Sequence, residues 1–425
     1  MSTLTQMIER RRRLLGPAYR LFYDEPVHFV RGDGVWLYDV DGKRYLDAYN
    51  NVASVGHCHP RVVEAISRQA STLNTHTRYL HETVLDYTER VLATFPGEPG
   101  HAMWTCTGSE ANDLAYRIAC NYTGGTGLIV TNFAYHGVTV AISQASPSLG
   151  QYVQRGPHVR TVRAPDTYRD APGDIGAALA AAVRDAAADM RAAGIRPAAL
   201  LVDTVLSSDG VYTHPAGFLK LAVAAIREEG GIFIADEVQA GLGRTGDAMW
   251  GFMRHGVSPD IVSMGKPMGN GHPLAGIVAK PELLERFGRE SRYFNTFGGN
   301  PVSAAAGLAV LDVVRDEQLL DNAQRVGAYL RSKLLELKDR HEVIGDVRGA
   351  GFFIGVELVL DRAGKSPATH EASRVVNALR DRQVLCSTTG ERANILKIRP
   401  PLVFGLEHAD LFVDTLDDVL HTLMT

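Results

Sequence analysis

Gly231-Ile-Phe-Ile-Ala-Asp-Glu-Val-Gln239 is a short apolar run that ends in two acids. Similar apolar runs occur at Gly127–Thr131, Ala198–Asp203 and Ile261–Ser263. Longer stretches with helical spacing lie among them, at Ser109–Tyr122, Ile175–Ala193 and Leu219–Glu229. Strands that are apolar throughout and alternate with helices predict an α/β fold, with a central, mostly parallel sheet covered on both faces.

Both ends of the chain have a different pattern. Gly34–Asp47 alternates around Asp41-Gly42, which predicts two antiparallel strands. After about Pro301 we predict helices at Val302–Arg315 and Asp321–Lys338, followed by strands at Val343–Leu360 and Ile395–Val403. We therefore expect a large α/β domain at residues 61–304. A smaller α+β domain would combine residues 1–60 and 305–425.

The composition is that of an ordinary globular protein. The chain has 425 residues, 45% of them hydrophobic, and a net charge of −4. This charge gives no reason to expect nucleic acid or an anionic membrane as a partner. No apolar run approaches the ~20 residues of a membrane span, and none follows the basic residues Arg10–Arg13 as a signal peptide requires. Arg11–Arg13 are read as the solvated face of a first helix. Cys58, Cys106, Cys120 and Cys386 have no regular spacing, so a reduced, cytoplasmic location is expected.

Two segments between the predicted strands and helices are suited to an anion and a planar ring. Small residues in Cys106-Thr-Gly-Ser-Glu-Ala-Asn112 precede a helix, whose first N–H groups attract a phosphate. The same residues also fit a plain helix cap. In Asn132-Phe-Ala-Tyr-His-Gly137, Tyr135 or His136 could stack on a ring. A tyrosine packed at a sheet edge is the alternative.

Asp236 and Lys266 are the candidate catalytic residues. Asp236 closes a buried strand, where a carboxylate needs a positive partner such as a protonated pyridinium nitrogen. It could instead cap the next turn, with Glu237 as the functional acid. Lys266 lies in Ser263-Met-Gly-Lys-Pro-Met-Gly-Asn-Gly-His-Pro273, where burial would lower its pKa and free its amine as nucleophile and base. A lysine in a glycine-rich loop is more often simply exposed.

This order of segments, with Lys266 30 residues after Asp236, resembles the class III (subgroup II) pyridoxal-phosphate aminotransferases of fold type I. The similarity runs from Gly34 to about Leu406. It implies that Lys266 forms a Schiff base with pyridoxal 5′-phosphate and that Asp236 binds the ring nitrogen. It also implies phosphate binding by Gly108 and Ser109, ring stacking by Tyr135, and an approach of Gln239 to O3′.

The resemblance also implies a shared active site. Phe294-Asn-Thr-Phe-Gly-Gly-Asn-Pro301 is similar to the family segment whose threonine, here Thr296, reaches the cofactor phosphate of the neighbouring subunit. A homodimer would then be the minimum assembly, and a homotetramer is equally compatible with the sequence.

Two departures from the family bear on the substrate. Most of its aminotransferases hold the α-carboxylate with an arginine where Ile395-Leu-Lys-Ile-Arg-Pro-Pro-Leu402 has Lys397. Lysine does not reproduce the planar fork of arginine. Asp203-Thr-Val-Leu-Ser-Ser-Asp-Gly210 replaces the usual Glu-Pro-x-Gln-Gly stretch and brings in Ser207 and Ser208. Both changes disfavour an ordinary α-amino acid as substrate.

Other stretches resemble the ethanolamine-phosphate phospho-lyases, a branch of the same family that includes enzymes acting on phosphorylated hydroxylysine. They are Asn50–Pro60, Asn74–His81, Pro165–Arg169, Gly269–Pro273, Leu385–Gly390 and Asn394–Lys397. The resemblance implies elimination of phosphate from O-phosphoethanolamine, with acetaldehyde and ammonia as the other products. The candidate ligands of the substrate phosphate are Asn51, Arg78, Tyr79, Lys397 and Arg399.

Alternatives remain for the function and for single residues. A class III aminotransferase acting on an ω-amine or amino acid would need a keto-acid acceptor, and a non-catalytic cofactor-binding relative would lack turnover. His57-Cys58-His59 is interpreted as a turn before Pro60, so no metal site is predicted. Arg78 could pair with an acid, Arg399 could lie in an interface, and Asp166 could cap a turn.

Overall fold

The computed structural model describes residues 3–97, 100–170 and 173–424. Its helices are α1 (Leu4–Leu15), α2 (Pro60–Thr72), α3 (Glu82–Leu92), α4 (Gly108–Thr123), α5 (Val140–Ser143), α6 (Ile175–Ala192), α7 (Lys220–Glu228), α8 (Gly251–Arg254), α9 (Pro281–Glu290), α10 (Pro301–Asp316), α11 (Leu319–Arg340), α12 (Thr369–Asp381) and α13 (Leu406–Met424). Within the described residues, no helix combines the length and apolar character needed to cross a membrane.

The strands form one large sheet and two small ones. They are β1 (Phe29–Asp33), β2 (Trp36–Asp39), β3 (Arg44–Asp47), β4 (His101–Thr105), β5 (Gly127–Thr131), β6 (Val159–Val162), β7 (Pro197–Asp203), β8 (Ile232–Asp236), β9 (Ile261–Met264), β10 (Ala275–Ala279), β11 (Ile344–Ala350), β12 (Phe353–Leu358), β13 (Val384–Leu385), β14 (Ser387–Thr389) and β15 (Ile395–Ile398).

The large sheet has the order β4-β10-β9-β8-β7-β5-β6, and β10 is antiparallel to both of its neighbours. Strands β5, β7, β8, β9 and β10 are buried along their whole length. This burial on both faces explains why these segments contain apolar residues throughout, without the alternation of a half-exposed strand. The predicted α/β fold with a mostly parallel central sheet is confirmed.

The small sheets use residues from both ends of the chain. One has the order β1-β2-β3-β13 and the other β11-β12-β15-β14. The parallel pairing of β13 with β3 joins the C-terminal part of the chain to the predicted hairpin. The domain division at residues 61–304 is not tested by this pairing and stays a prediction.

One predicted boundary was wrong. We expected a strand over Ile395–Val403, but β15 ends at Ile398. Pro400 and Pro401 follow, and proline has no N–H group to continue the hydrogen-bonded ladder. The shorter strand still contains Lys397, and Arg399 is the first residue after the strand.

Candidate active site

A cavity lies at the carboxyl ends of the central strands, where ligands of α/β sheets bind. Its lining residues are Gly108, Ser109, Tyr135, His136, Gly137, Asp203, Asp236, Val238, Gln239 and Lys266. They follow β4, β5, β7, β8 and β9, so five neighbouring segments of chain meet at one edge of the sheet. Six of the seven residues predicted to bind the cofactor, all but Thr296, are thereby brought together.

Helix α4 presents its first turn to this cavity. Thr107 and Glu110 form a reciprocal capping box, so Thr107 rather than Ser109 caps the helix. Gly108 and Ser109 are the first two helical residues, and their N–H groups have no acceptor within the helix. The Ser109 hydroxyl accepts from the Val138 N–H at 3.1 Å, which leaves its own proton available to an anion. The helix start therefore has the donors that a phosphate requires.

Close packing around Gly108 and Gly137 shapes the same region. A Cβ atom at Gly108 would lie 2.8 Å from the Val238 side chain. One at Gly137, where φ is +141°, would lie 2.6 Å from Ser109 Oγ. Glycine at these two positions lets the loops approach the helix start.

Asp236 is a buried carboxylate that is held in its ionised form. Burial by itself raises its pKa, but hydrogen bonds from His136, Val238 and Asn112 lower the pKa below the usual value. Its Oδ2 lies 2.7 Å from His136 Nδ1 and accepts from Asn112 Nδ2 at 2.9 Å. Asp236 also accepts from the Val238 N–H at 3.0 Å, so it caps the following turn as well.

Glu237, the alternative acid, is engaged elsewhere. Its carboxylate accepts from Thr204 Oγ1 and from the Gly251 and Phe252 N–H groups, each at 2.7 Å. It therefore fixes the start of α8 and is absent from the cavity lining.

Lys266 follows β9 and extends beside Tyr135, with 5.9 Å between its Nζ atom and the ring centroid. Burial is the main reason that its pKa falls to about 8, and the positive charge of Arg399 adds to this effect. Near neutral pH a substantial minority of Lys266 is then the free amine that nucleophilic attack requires.

Comparison with known proteins agrees with this geometry. The model of the family described as "Aminotransferase class-III" matches residues 22–420. The chain belongs to the class-III aminotransferase family. These enzymes use pyridoxal phosphate, so this is the cofactor of the chain, and the fold is fold type I. The resemblance to this family that the sequence motifs indicated is confirmed.

Individual class-III relatives have different names. An "alanine–glyoxylate aminotransferase 2-like" protein of Drosophila melanogaster is 39% identical, over 96% of this chain and 85% of the relative. An "ethanolamine-phosphate phospho-lyase homolog 1" of Caenorhabditis elegans is 37% identical, over 99% and 94%. A solved phospholyase from Arthrobacter, in complex with phosphoethanolamine, has a TM-score of 0.94 and 43% identity and covers 98% of this chain and 99% of its own.

The residues of the cavity fit pyridoxal phosphate. The carboxylate of Asp236, buried and held ionised, needs a cationic partner such as the protonated ring nitrogen. Gly108 and Ser109 would hold the phosphate, Tyr135 would cover the ring, and Lys266 would carry the aldehyde carbon. These roles remain predictions from the motifs, and the arrangement of donors and acceptors is compatible with each of them.

Lys397 and Arg399 reach the cofactor site through Gln239. Lys397 Nζ lies 3.3 Å, and Arg399 Nη1 2.7 Å, from Gln239 Oε1. Arg399 Nη1 also donates to Asn51 Oδ1 at 2.9 Å. Lys397 and Arg399 are each 6% exposed. Arg399 is thus a buried residue beside the cavity rather than a surface residue available to an interface.

Arg78, Tyr79 and Thr296 are not brought to the cavity of their own chain. All three are exposed. The Arg78 guanidinium lies 3.9 Å from the Phe294 ring centroid, so it packs on an aromatic ring rather than pairing with an acid. The structure of one chain does not test their predicted roles: Thr296 is predicted to reach the cofactor phosphate of the neighbouring subunit, and Arg78 and Tyr79 stay candidate ligands of the substrate phosphate. Because Arg78 contacts the segment that carries Thr296, a joint contribution to a neighbouring subunit stays a prediction.

The sequence did not reveal several polar partners within the cavity. His136 was considered only as a stacking residue, but it binds Asp236. Asn112 is not among the predicted site residues. Its position one turn after Gly108 on α4 was the signal that it lies on the same side of the helix, where it donates to Asp236. Asp203 could have been found from the parallel pairing of β7 and β8, in which it lies opposite Asp236.

Two further segments singled out in the sequence have defined contacts. Asp166 caps a turn, because its Oδ1 accepts from the Tyr168 and Arg169 N–H groups. His57 and His59 bind different acids, Asp47 and Glu317 respectively. Cys58 lies between them with φ of +51°, which is a turn conformation.

Proposed function

We propose that this enzyme is a pyridoxal-phosphate-dependent phospho-lyase that eliminates phosphate from O-phosphoethanolamine, after which one water molecule hydrolyses the remaining two-carbon amine to acetaldehyde and ammonia. The observation that carries the proposal is the buried pair Lys397 and Arg399, which share one acceptor oxygen of Gln239 beside the cofactor site. Both side chains only donate hydrogen bonds, so a ligand at this end of the cavity must be rich in acceptors.

The charges favour a dianion. Asp236 is matched to the ring nitrogen of the cofactor, and Lys266 is used to attach it. The hydrogen-bond acceptors of Lys397 and Arg399 described above are neutral amide oxygens, and the two charged groups otherwise lie over the Phe353 and Tyr49 rings. Burial and the charge of Arg399 lower the pKa of Lys397 well below its usual value, although Asp203 and Asp209 act in the opposite direction, so the charge of Lys397 is incompletely balanced within the protein. A phosphate dianion would balance both cations with charge-assisted hydrogen bonds.

The substitution of lysine for the family's arginine is consistent with this substrate. Bidentate binding of a carboxylate needs the planar fork of arginine, whereas a phosphate oxygen can be bound by a point charge. O-phosphoethanolamine has no carboxylate, so Lys397 is free to serve the leaving group.

Each residue then has a defined task. Bound pyridoxal phosphate supplies the electron sink for the carbon that carries the amine. Lys266 Nζ removes a proton from that carbon, and its lowered pKa makes the amine available as a base. Lys397 and Arg399 neutralise the charge that gathers on the phosphate oxygen as the neighbouring C–O bond breaks. Asp236 keeps the ring nitrogen protonated.

Two relatives support the proposal, the Arthrobacter phospholyase with phosphoethanolamine and the phospho-lyase homolog of Caenorhabditis elegans. The second candidate is a class-III aminotransferase with an ω-amine or amino acid as donor, which the relatives named alanine–glyoxylate aminotransferases favour. Lys266 serves as base in both reactions, so only products can distinguish them.

The test supplies the cofactor-loaded enzyme with O-phosphoethanolamine and no keto acid, and measures phosphate and acetaldehyde. We expect equal amounts of both, over many turnovers per active site, and none from a Lys266→Ala control. If phosphate is not released, but an amino group is transferred once pyruvate or glyoxylate is added with an amine donor, the enzyme is an aminotransferase and the proposal is wrong.

A further inference from the structure

A chain of buried hydrogen bonds links the two cations to the loop that follows β7. Gln239 Oε1 accepts from Lys397 and Arg399, and Gln239 Nε2 donates to Ser207 Oγ at 2.6 Å. The Ser207 hydroxyl donates in turn to Asp203 Oδ2. Ser207 is fully buried and is absent from the cavity lining, so its effect on a ligand must pass through its partners Gln239 and Asp203, which both line the cavity.

The donor and acceptor groups permit only one set of donor-to-acceptor directions in this series of hydrogen bonds. Arg399 cannot accept a hydrogen bond, so the amide group of Gln239 must turn its oxygen towards Arg399 and the neighbouring Lys397. Its NH₂ group then faces Ser207, whose oxygen must accept and whose proton must go to Asp203. Ser207 therefore gives the Gln239 NH₂ group its acceptor and stabilises the orientation in which the amide oxygen faces the two cations.

Two further contacts hold Ser207 in place. The Asp203 carboxylate accepts from the Ser207 N–H at 3.0 Å and from the Val205 N–H at 3.1 Å, which closes the turn after β7. Thr389 Oγ1 donates to the Ser207 carbonyl at 2.8 Å. Thr389 ends β14, the strand that pairs with Lys397 through Ser387. The loop is thus fixed to the same sheet that carries Lys397.

We propose that Ser207 is a positioning residue that sets the preference of this site for a phosphate group, by orienting Gln239 so that Lys397 and Arg399 converge on one point. This inference rests on the proposed function, because it assumes that the two cations bind the phosphate of the substrate. It assigns a role to the serine that replaces a residue of the common family loop.

The test compares Ser207→Ala with the matched control Ser208→Ala in the cofactor-loaded enzyme. Ser208 belongs to the same loop, and its backbone carbonyl accepts from the Gly390 N–H at 3.1 Å, a bond that alanine keeps. We expect Ser207→Ala to raise KM for O-phosphoethanolamine about tenfold, since a buried amide loses its acceptor, and to change kcat less than about threefold. Inhibition by inorganic phosphate should weaken by the same factor, and Ser208→Ala should leave both constants unchanged.

A double variant distinguishes a positioning role of Ser207 from a general disturbance of the structure. If Ser207 acts through Lys397, then Ser207→Ala in a Lys397→Met background should raise KM by no more than about threefold. Equal effects of Ser207→Ala in both backgrounds, or an unchanged KM in the single variant, would overturn the inference. Failure of the wild-type enzyme to release phosphate would instead refute the proposed function, so the two failures are distinguishable.

Discussion

Replacing Lys397 by methionine tests the binding site for the phosphate most directly. Methionine has a similar length and no charge, so the fold should accept it. Lys397 Nζ and Arg399 Nη1 lie 3.3 Å and 2.7 Å from one oxygen of Gln239, and an anionic ligand near this point would contact both donors. Loss of one charge-assisted hydrogen bond costs about 2 kcal/mol, which corresponds to an increase of about 30-fold in KM for O-phosphoethanolamine.

The same substitution should not destabilise the protein. Burial and the neighbouring Arg399 lower the pKa of Lys397, so the folded state binds its proton less readily than the unfolded state does. The buried lysine therefore costs stability, and this cost grows as the pH falls from the ordinary lysine pKa towards the lowered pKa, below which it stays constant. We expect Lys397→Met to keep or raise the free energy of unfolding, by about 1 kcal/mol, with a larger gain in mildly acidic than in alkaline buffer.

The assay measures KM by phosphate release and the melting temperature of the loaded enzyme in the same buffers. Lys333→Met is the matched control, because Lys333 pairs with Glu336 on the exposed face of α11. The control should change neither quantity measurably. An unchanged KM with full cofactor loading would refute the role of Lys397, and a lower melting temperature would refute the claim that its charge is a structural cost.

Three further outcomes are expected. Asp236→Asn should lower kcat about 10²–10³-fold at saturating pyridoxal phosphate, because an amide cannot hold the ring nitrogen protonated; a kcat near that of wild type would contradict this. The uptake of pyridoxal phosphate by the cofactor-free protein, followed by absorbance, should accelerate about tenfold per pH unit and level off above the Lys266 pKa of about 8, since only the free amine reacts. Co-expressed Lys266→Ala and Arg78→Ala chains should recover about a quarter of wild-type activity if Arg78 serves the neighbouring subunit's site, and no recovery would exclude that.

The strands and the residues that end them could be predicted from the sequence. Strand β8 and the position of Asp236 follow from an apolar run that closes on an acid, and Lys266 follows from the next such run. These signals are local, since a buried parallel strand and the loop after it occupy adjacent residues. The contacts around Asp236 are different. Asn112 is 124 residues away in the chain, and only the packing of α4 against the sheet brings it to 2.9 Å.

The substrate side was predictable in composition but not in geometry. The exchange of arginine for Lys397 was visible in the sequence, and alternation along a strand placed Arg399 on the same side. Both cations contact Gln239 Oε1. This contact depends on side-chain orientation, which no local sequence pattern encodes. For Arg78 and Tyr79 the motif indicates a role in substrate binding. It does not indicate in which subunit's cavity they act.

The position of the substrate's anionic group relative to its amine bears on the choice between elimination and amino transfer. An amino acid carries its carboxylate on the same carbon as its amine, whereas phosphoethanolamine carries its phosphate on the next carbon. Cations that bind the phosphate therefore act on the bond adjacent to the carbon from which Lys266 takes a proton. On the proposed function, breaking this C–O bond competes with return of the proton, and Lys397 and Arg399 favour the break because they stabilise the departing charge. The balance between lyase and aminotransferase is then determined by two buried cations and by the Ser207–Gln239 contact that orients their shared acceptor, while Lys266 and Asp236 serve both reactions equally.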